Sequence, residues 1–219
     1  MIHAMVVGPF VISFYLFALA ISLVSGVLLF MMTSPFSKSE TRKALSGISD
    51  LFVWLLIFIW VGKVLLKWEA FWKDPISILI YPSNHQALYI GLLLTFILSM
   101  WRYRHRVGEL AISKSLVLIV NYSLFVYYFM AVIWTSSGTV YVGELVLAGV
   151  LVIWQVVSLT ARSQQSWWYG MFGAFIAGKF MLTLILGETF LFHYKVDLWV
   201  WILMSFIFVS LLYGKKVRT

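Results

Sequence analysis

Nearly continuous runs of Leu, Ile, Val, Phe and Trp, each about 17–25 residues long, recur along this chain and constrain what it can become. A helix rising ~1.5 Å per residue needs that length to cross ~30 Å of hydrocarbon. Backbone exposed to lipid must satisfy its own hydrogen bonds, which leaves only helices or a closed barrel. Barrel strands would alternate apolar and polar residues over ~10 positions, and these runs do not alternate. Of the 219 residues, 63% are hydrophobic and 11% charged, against roughly 45–50% and about 25% in soluble domains. The expected fold is all-α: a polytopic integral membrane bundle of about seven transmembrane helices, forming a single transmembrane domain over residues 1–219.

The runs lie at approximately 8–32, 50–66, 86–101, 114–134, 140–160, 167–187 and 197–213. The first is too long for the apolar region of a cleavable signal and lacks a basic leader and an A-x-A site, so it reads as a retained helix. Lys38, Arg42, Lys43, Arg102, Arg104, Arg106, Arg162, Lys215, Lys216 and Arg218 fall on alternate links, whereas Lys67, Lys73 and Lys195 are balanced by Glu69, Asp74, Glu188 and Asp197. Basic links stay on the cytoplasmic side, so the asymmetry predicts an N-terminus outside and a C-terminus inside. Trp68, Trp72, Trp101, Tyr103, Trp134, Trp167, Trp168, Trp199 and Trp201 cluster near run ends, as an interfacial belt does.

The formal charge of +8 is spread over these links rather than gathered on one face, so it reads as a topology signal and argues against nucleic acid as a partner. With no cysteine, disulfides and thiolate chemistry are excluded. No H-E-x-x-H or paired-His spacing suggests a metal, no phosphate loop suggests a nucleotide, and no cofactor is expected.

Ionisable groups at membrane depth are costly, about 2.5–3.5 kcal/mol at a helix centre, so each needs a reason. Lys63, Glu144, Lys179 and Glu188 stand out. Lys63 is placed either to snorkel to the interface or to serve a site. Lys179 is expected to face the protein interior, in a functional pocket or in a structural ion pair with Glu144; in the first case Lys179→Met weakens retention of an anionic lipid and spares the fold. His85 follows Asn84 where a link turns into the third run, so it suits general acid–base work beside water, or simply starts a helix next to an Asn cap. His193 lies on another such link. His3 and His105 read as solvated.

The order of short motifs resembles the bacterial prolipoprotein diacylglyceryl transferases, seven-helix enzymes of the cytoplasmic (inner) membrane. Gly8-Pro9-Phe10-Val11-Ile12-Ser13-Phe14-Tyr15 is similar to the family's opening G-P-x-x-I-x-W-Y. Asp50 with Gly62-Lys63 is similar to its D-x-n-G-A-R helix, and Asp74-Pro75 with Asn84-His85-Gln86 and Gly91 to the D-P link and the H-G-G histidine segment. Tyr141-Val142-Gly143-Glu144 resembles L-Y-E, and Gly178-Lys179-Phe180 with Glu188 resembles G-x-x-R-F-x-x-E. The matches span about residues 8 to 188. The fourth run, around Asn121 to Met130, carries neither the Arg nor the Glu of the family's G-R-x-G-N-x-x-N-x-E element.

The resemblance implies an outward-facing pocket for an anionic, phosphatidylglycerol-like phospholipid and transfer of a lipid group to an exported lipoprotein. It implies His85 as base, Tyr15 as hydrogen-bond donor, Lys179 and Lys63 as phosphate holders, and Glu144, Glu188 and Asn84 in support. The departure in the fourth run fits a second reading, a non-catalytic scaffold that partners another membrane protein. A third, a small transporter or channel subunit, requires polar residues along a path reaching both faces.

Overall fold

The computed structural model describes residues 4–7, 10–75, 84–103, 109–135, 138–160 and 167–216. His3, Gly8, Pro9, residues 81–83, Arg104, His105, Arg106, Arg162 and Arg218 lie outside the described residues. Eight helices and two small hairpins are present among the described residues. Strands β1 (Ala4–Val7) and β2 (Phe10–Ser13) lead into α1 (Phe14–Thr33), α2 (Lys38–Leu66), α3 (Trp68–Lys73), α4 (His85–Tyr103), α5 (Glu109–Thr135), α6 (Thr139–Thr160) and α7 (Trp167–Leu186). Strands β3 (Thr189–Leu191) and β4 (Tyr194–Val196) precede α8 (Leu198–Lys216).

Five helices, α1, α2, α5, α6 and α7, are long and apolar enough to cross a membrane, and the chain is a multi-pass, all-α membrane protein. The expected runs in α4 and α8 form shorter apolar helices over His85–Ser99 and Leu198–Val209. Two boundaries differ from the sequence reading. The run expected to be helical from residue 8 is helical only from Phe14, because Phe10–Ser13 pairs antiparallel with Ala4–Val7, register Val6 to Val11. Val6, Val7, Val11 and Ile12 favour extended backbone. The second run begins at Lys38, not near 50, because a capping box starts it. Glu40 N–H donates to Ser37 Oγ at 3.3 Å and Ser37 N–H donates to Glu40 Oε2 at 3.1 Å, two otherwise orphaned donors satisfied at once.

The chain divides into two compact units, residues 36–116 and residues 1–35 with 117–219. In the first, α2 and α4 run antiparallel through close backbone approaches. A Cβ on Gly62 would lie 3.0 Å from the Ala87 carbonyl, and one on Gly91 would lie 3.0 Å from the Ile59 backbone nitrogen. Small residues that admit such approach are what packs helices where no hydrophobic effect drives them together.

In the second unit, α1 buries Ala18, Ser22, Gly26 and Phe30, one stripe at a spacing of four. Gly26 seats against Ser123 and the Ile119 carbonyl of α5. Around that seam Ala18, Leu124, Tyr127, Tyr128, Ala131 and Ala148 form a buried core, onto which Phe14, Tyr141, Phe175, Leu191 and Phe192 pack. The β3–β4 hairpin thus lays its tip on helix α5. Its two-residue turn places Phe192 at φ 56°, in the left-handed region. Such turns usually hold glycine there, and a bulky side chain costs about 1–3 kcal/mol.

Candidate functional site

The polar centre of the second unit is built where α5, α6 and α7 meet β3. Glu144 of α6 and Lys179 of α7 are each 1% exposed, and Lys179 Nζ donates to Glu144 Oε2 at 2.5 Å. The pair grips one residue of the hairpin from both sides. Phe190 N–H donates to Glu144 Oε1 at 2.9 Å, and its carbonyl accepts from Lys179 Nζ at 2.6 Å. Tyr128 of α5 completes the set, accepting from Lys179 at 2.9 Å and donating to the Phe190 carbonyl at 2.5 Å. The three protons of the ammonium therefore meet a carboxylate, a hydroxyl and a carbonyl, with the faces of Tyr128, Phe175 and Trp201 at 5.0, 5.7 and 5.9 Å. Burial of this kind is tolerated because each charge is matched and hydrogen-bonded.

A hydroxyl chain braces the hairpin on one side. Trp201 Nε1 donates to Thr189 Oγ1 at 2.9 Å, Thr189 and Thr183 hydroxyls are 3.0 Å apart, and Thr183 donates to the Lys179 carbonyl at 2.9 Å. Glu144, Lys179, Phe175 and Asn121 surround a gap too narrow to hold a water molecule. Asn121 donates to Gln155 at 3.4 Å deeper in α6.

The remaining expected residues separate into two groups. Glu188 does not join Lys179; it accepts from Lys195 at 2.7 Å in an exposed pair, which holds the Lys195 ammonium above its ordinary pKa. Tyr15 stacks on His193 with ring centroids 6.1 Å apart. His193 is largely shielded, and burial pushes its imidazole below the ordinary value. Lys63, Asn84 and His85 belong to the first unit. Asn84 Oδ1 accepts from Ala87 N–H at 3.0 Å, so it caps α4. His85 is exposed in the first turn, its ring 5.9 Å from Tyr89. The contact of Gly62 with Ala87 brings Lys63 and His85 to the same end of the α2–α4 pair, near Trp68 and Trp72, which are exposed.

The sequence alone does not single out Tyr128 or Phe190. A backbone contact such as that of Phe190 has no side-chain signature. The aromatic residues at every second position, Phe190, Phe192 and Tyr194, between β-branched Thr189 and Val196 are the available sign of the hairpin. Among the described residues no group of acidic, His or Cys side chains is arranged to hold a metal ion. Compared with known proteins, the chain matches no protein-family model, no curated protein and no solved structure.

Proposed function

We propose that this chain spans a bacterial cytoplasmic membrane seven times, N-terminus out and C-terminus in, and binds an anionic phospholipid of the phosphatidylglycerol kind at its outward end. As the diacylglyceryl-transferase resemblance implies, it transfers a lipid group from that phospholipid to an exported lipoprotein. The observation that carries this reading is the Gly62–Ala87 approach, which sets Lys63 and His85 at one end of the same helix pair. Exposed Lys67 and the tryptophans Trp68 and Trp72 follow directly in sequence. A cation and a base beside interfacial tryptophans suit a phosphate headgroup lying at membrane depth. His85 takes the proton of the incoming nucleophile while Lys63 steadies the phosphate leaving group. Glu144 is assigned to hold Lys179, Glu188 to hold Lys195, and Asn84 to fix the start of the helix that carries His85.

The saturation of Lys179 by Glu144, Tyr128 and Phe190 favours a second reading, a non-catalytic scaffold that partners another membrane protein. One experiment separates them. Purified protein in nanodiscs containing phosphatidylglycerol is given a lipoprotein signal peptide, and lipidated peptide is quantified by mass spectrometry. Turnover that falls about 10²–10⁴-fold in His85→Gln supports the enzyme. Enrichment of phosphatidylglycerol over phosphatidylcholine without turnover assigns the scaffold, and neither enrichment nor turnover removes the lipid reading.

A further inference from the structure

The exposed side of α2 carries a trough that the α2–α4 seam does not use. Two rows of side chains at a spacing of four, Leu56, Trp60 and Val64 in one and Ile57, Val61 and Leu65 in the other, line an open volume of about 550 Å³, with Trp68 at one end. Residues four apart on a helix form a ridge, and two neighbouring ridges leave a groove between them. Val61 and Val64, the smallest of these side chains, keep that groove open. Its volume falls in the range of ligand sites, roughly 300–1,000 Å³. From Leu56 to Leu65 the helix rises about 14 Å, close to the depth of one leaflet, about half of the ~30 Å hydrocarbon core.

We propose that this trough holds one acyl chain of an anionic phospholipid whose phosphate lies against Lys63 and Lys67. Those two cations stand one turn apart, on the row of α2 beside the trough and at the end that Trp68 marks, and they repel each other. An anion set between them is favoured by both. Glu69 lies past the end of α2, in the first turn of α3. Long lysine stems carry their charged heads toward an interface, where the exposed indole of Trp68 also belongs. A helix of another protein suits the trough less well. Helices associate within a membrane through small residues that let backbones approach, and the small residue of this stretch, Gly62, is already against Ala87 of α4. Every residue lining the trough is Val or larger, which holds a second backbone off and leaves a channel for a slender, flexible chain. Assignment of the trough rests on the phospholipid reading and adds to it the place of the tail.

The test uses the full chain in detergent micelles with fluorotryptophan, the Trp60 fluorine signal being assigned by its loss in Trp60→Phe. Trp154, exposed on α6, reports ordinary contact with lipid. Dipalmitoylphosphatidylglycerol, dipalmitoylphosphatidylcholine and the chain-free headgroup glycerophosphoglycerol are titrated in turn, and the lipid retained after gel filtration is quantified by mass spectrometry. A saturable Trp60 shift with the phosphatidylglycerol, absent at Trp154 and absent with glycerophosphoglycerol, supports the site. Val61→Phe, which adds bulk to the trough at a position 40% exposed, is expected to abolish that shift without lowering the melting temperature. Lys67→Gln is expected to remove the preference for phosphatidylglycerol over phosphatidylcholine. Retention of phosphatidylglycerol with an unmoved Trp60 signal overturns the trough and leaves the phospholipid reading standing. Equal saturable shifts with both lipids overturn the anionic headgroup, here and in the phospholipid reading alike. Matching shifts at Trp60 and Trp154, the mark of ordinary lipid contact, or an unchanged shift in Val61→Phe overturn the trough as well. If Val61→Phe does not fold, the wild-type comparison of Trp60 with Trp154 decides alone.

Discussion

Lys179 and Glu144, 35 residues apart in sequence, meet at 2.5 Å inside the protein and hold the Phe190 backbone, Glu144 at its N–H and Lys179 at its carbonyl. Removing one member of such a pair leaves an uncompensated charge. Lys179→Met is therefore expected to cost about 3–5 kcal/mol of stability, which replaces the expectation of a fold left intact. Adding Glu144→Gln removes the stranded charge and keeps an acceptor for Phe190 N–H, so the double variant should recover part of the loss. Thermal unfolding of the single and double variants in one detergent checks this. Strictly additive losses would show that the pair is not coupled.

The seam between α1 and α5 leaves no space for a methyl group at Gly26, where a Cβ would run into the Ser123 side chain and the Ile119 carbonyl. Gly26→Ala should destabilise by about 1–3 kcal/mol through overpacking. Gly149 is the control, because a Cβ there would meet Phe125 at 3.6 Å, an ordinary contact. Gly149→Ala should match or exceed wild type, since alanine is the better helix residue. Melting temperatures of the two variants that move together would refute the packing argument.

Acid should weaken the hairpin through His193. Its imidazole titrates below the ordinary value of 6.5 in the folded protein because of burial, so the unfolded chain binds the proton first. Its contribution is present in full above pH ~6.5 and is lost as pH falls from there through the folded value. The rings beside it are those of Tyr15 and Tyr194. Protection factors of the Thr189–Val196 amides, which divide out the intrinsic pH dependence of exchange, should fall between pH 7 and 5 in wild type, and His193→Gln should flatten that slope. A slope of equal size in the variant would assign the effect elsewhere.

Orientation is open to a direct measurement because the chain has no cysteine to give background labelling. Lys195→Cys, at a position 56% exposed on the hairpin, should react with a membrane-impermeant thiol reagent in intact cells, and Ser39→Cys should not. The reverse pattern would invert the proposed topology.

Much of the architecture is legible in the residues. Length and continuity of the apolar runs place the spanning helices, and Asn84 marks the start of α4 because a side-chain acceptor before a helix has one common use. The depth of Lys179 already required a partner, and Glu144 was among the residues able to meet it. What the sequence conceals is of another kind. Phe190 contributes its backbone, Tyr128 looks like any apolar-helix tyrosine, and Phe10–Ser13 is too short for periodicity to tell strand from helix. The start of α2 was missed because the charged stretch from Lys38 to Asp50 resembles a link, while its Ser37–Glu40 box resembles a helix start.

The order in which Glu144 and Lys179 appear along the chain bears on how the protein is made. During synthesis α6 emerges first, carrying a carboxylate whose partners, Lys179 and Phe190, have not yet been translated. Until α7 arrives, the Glu144 carboxylate has neither of those partners, and a charge at membrane depth is costly without one. The ion pair can form only once α7 has joined α6. The hairpin that follows can close only after both have arrived, so its docking is the last event in the assembly of this polar centre.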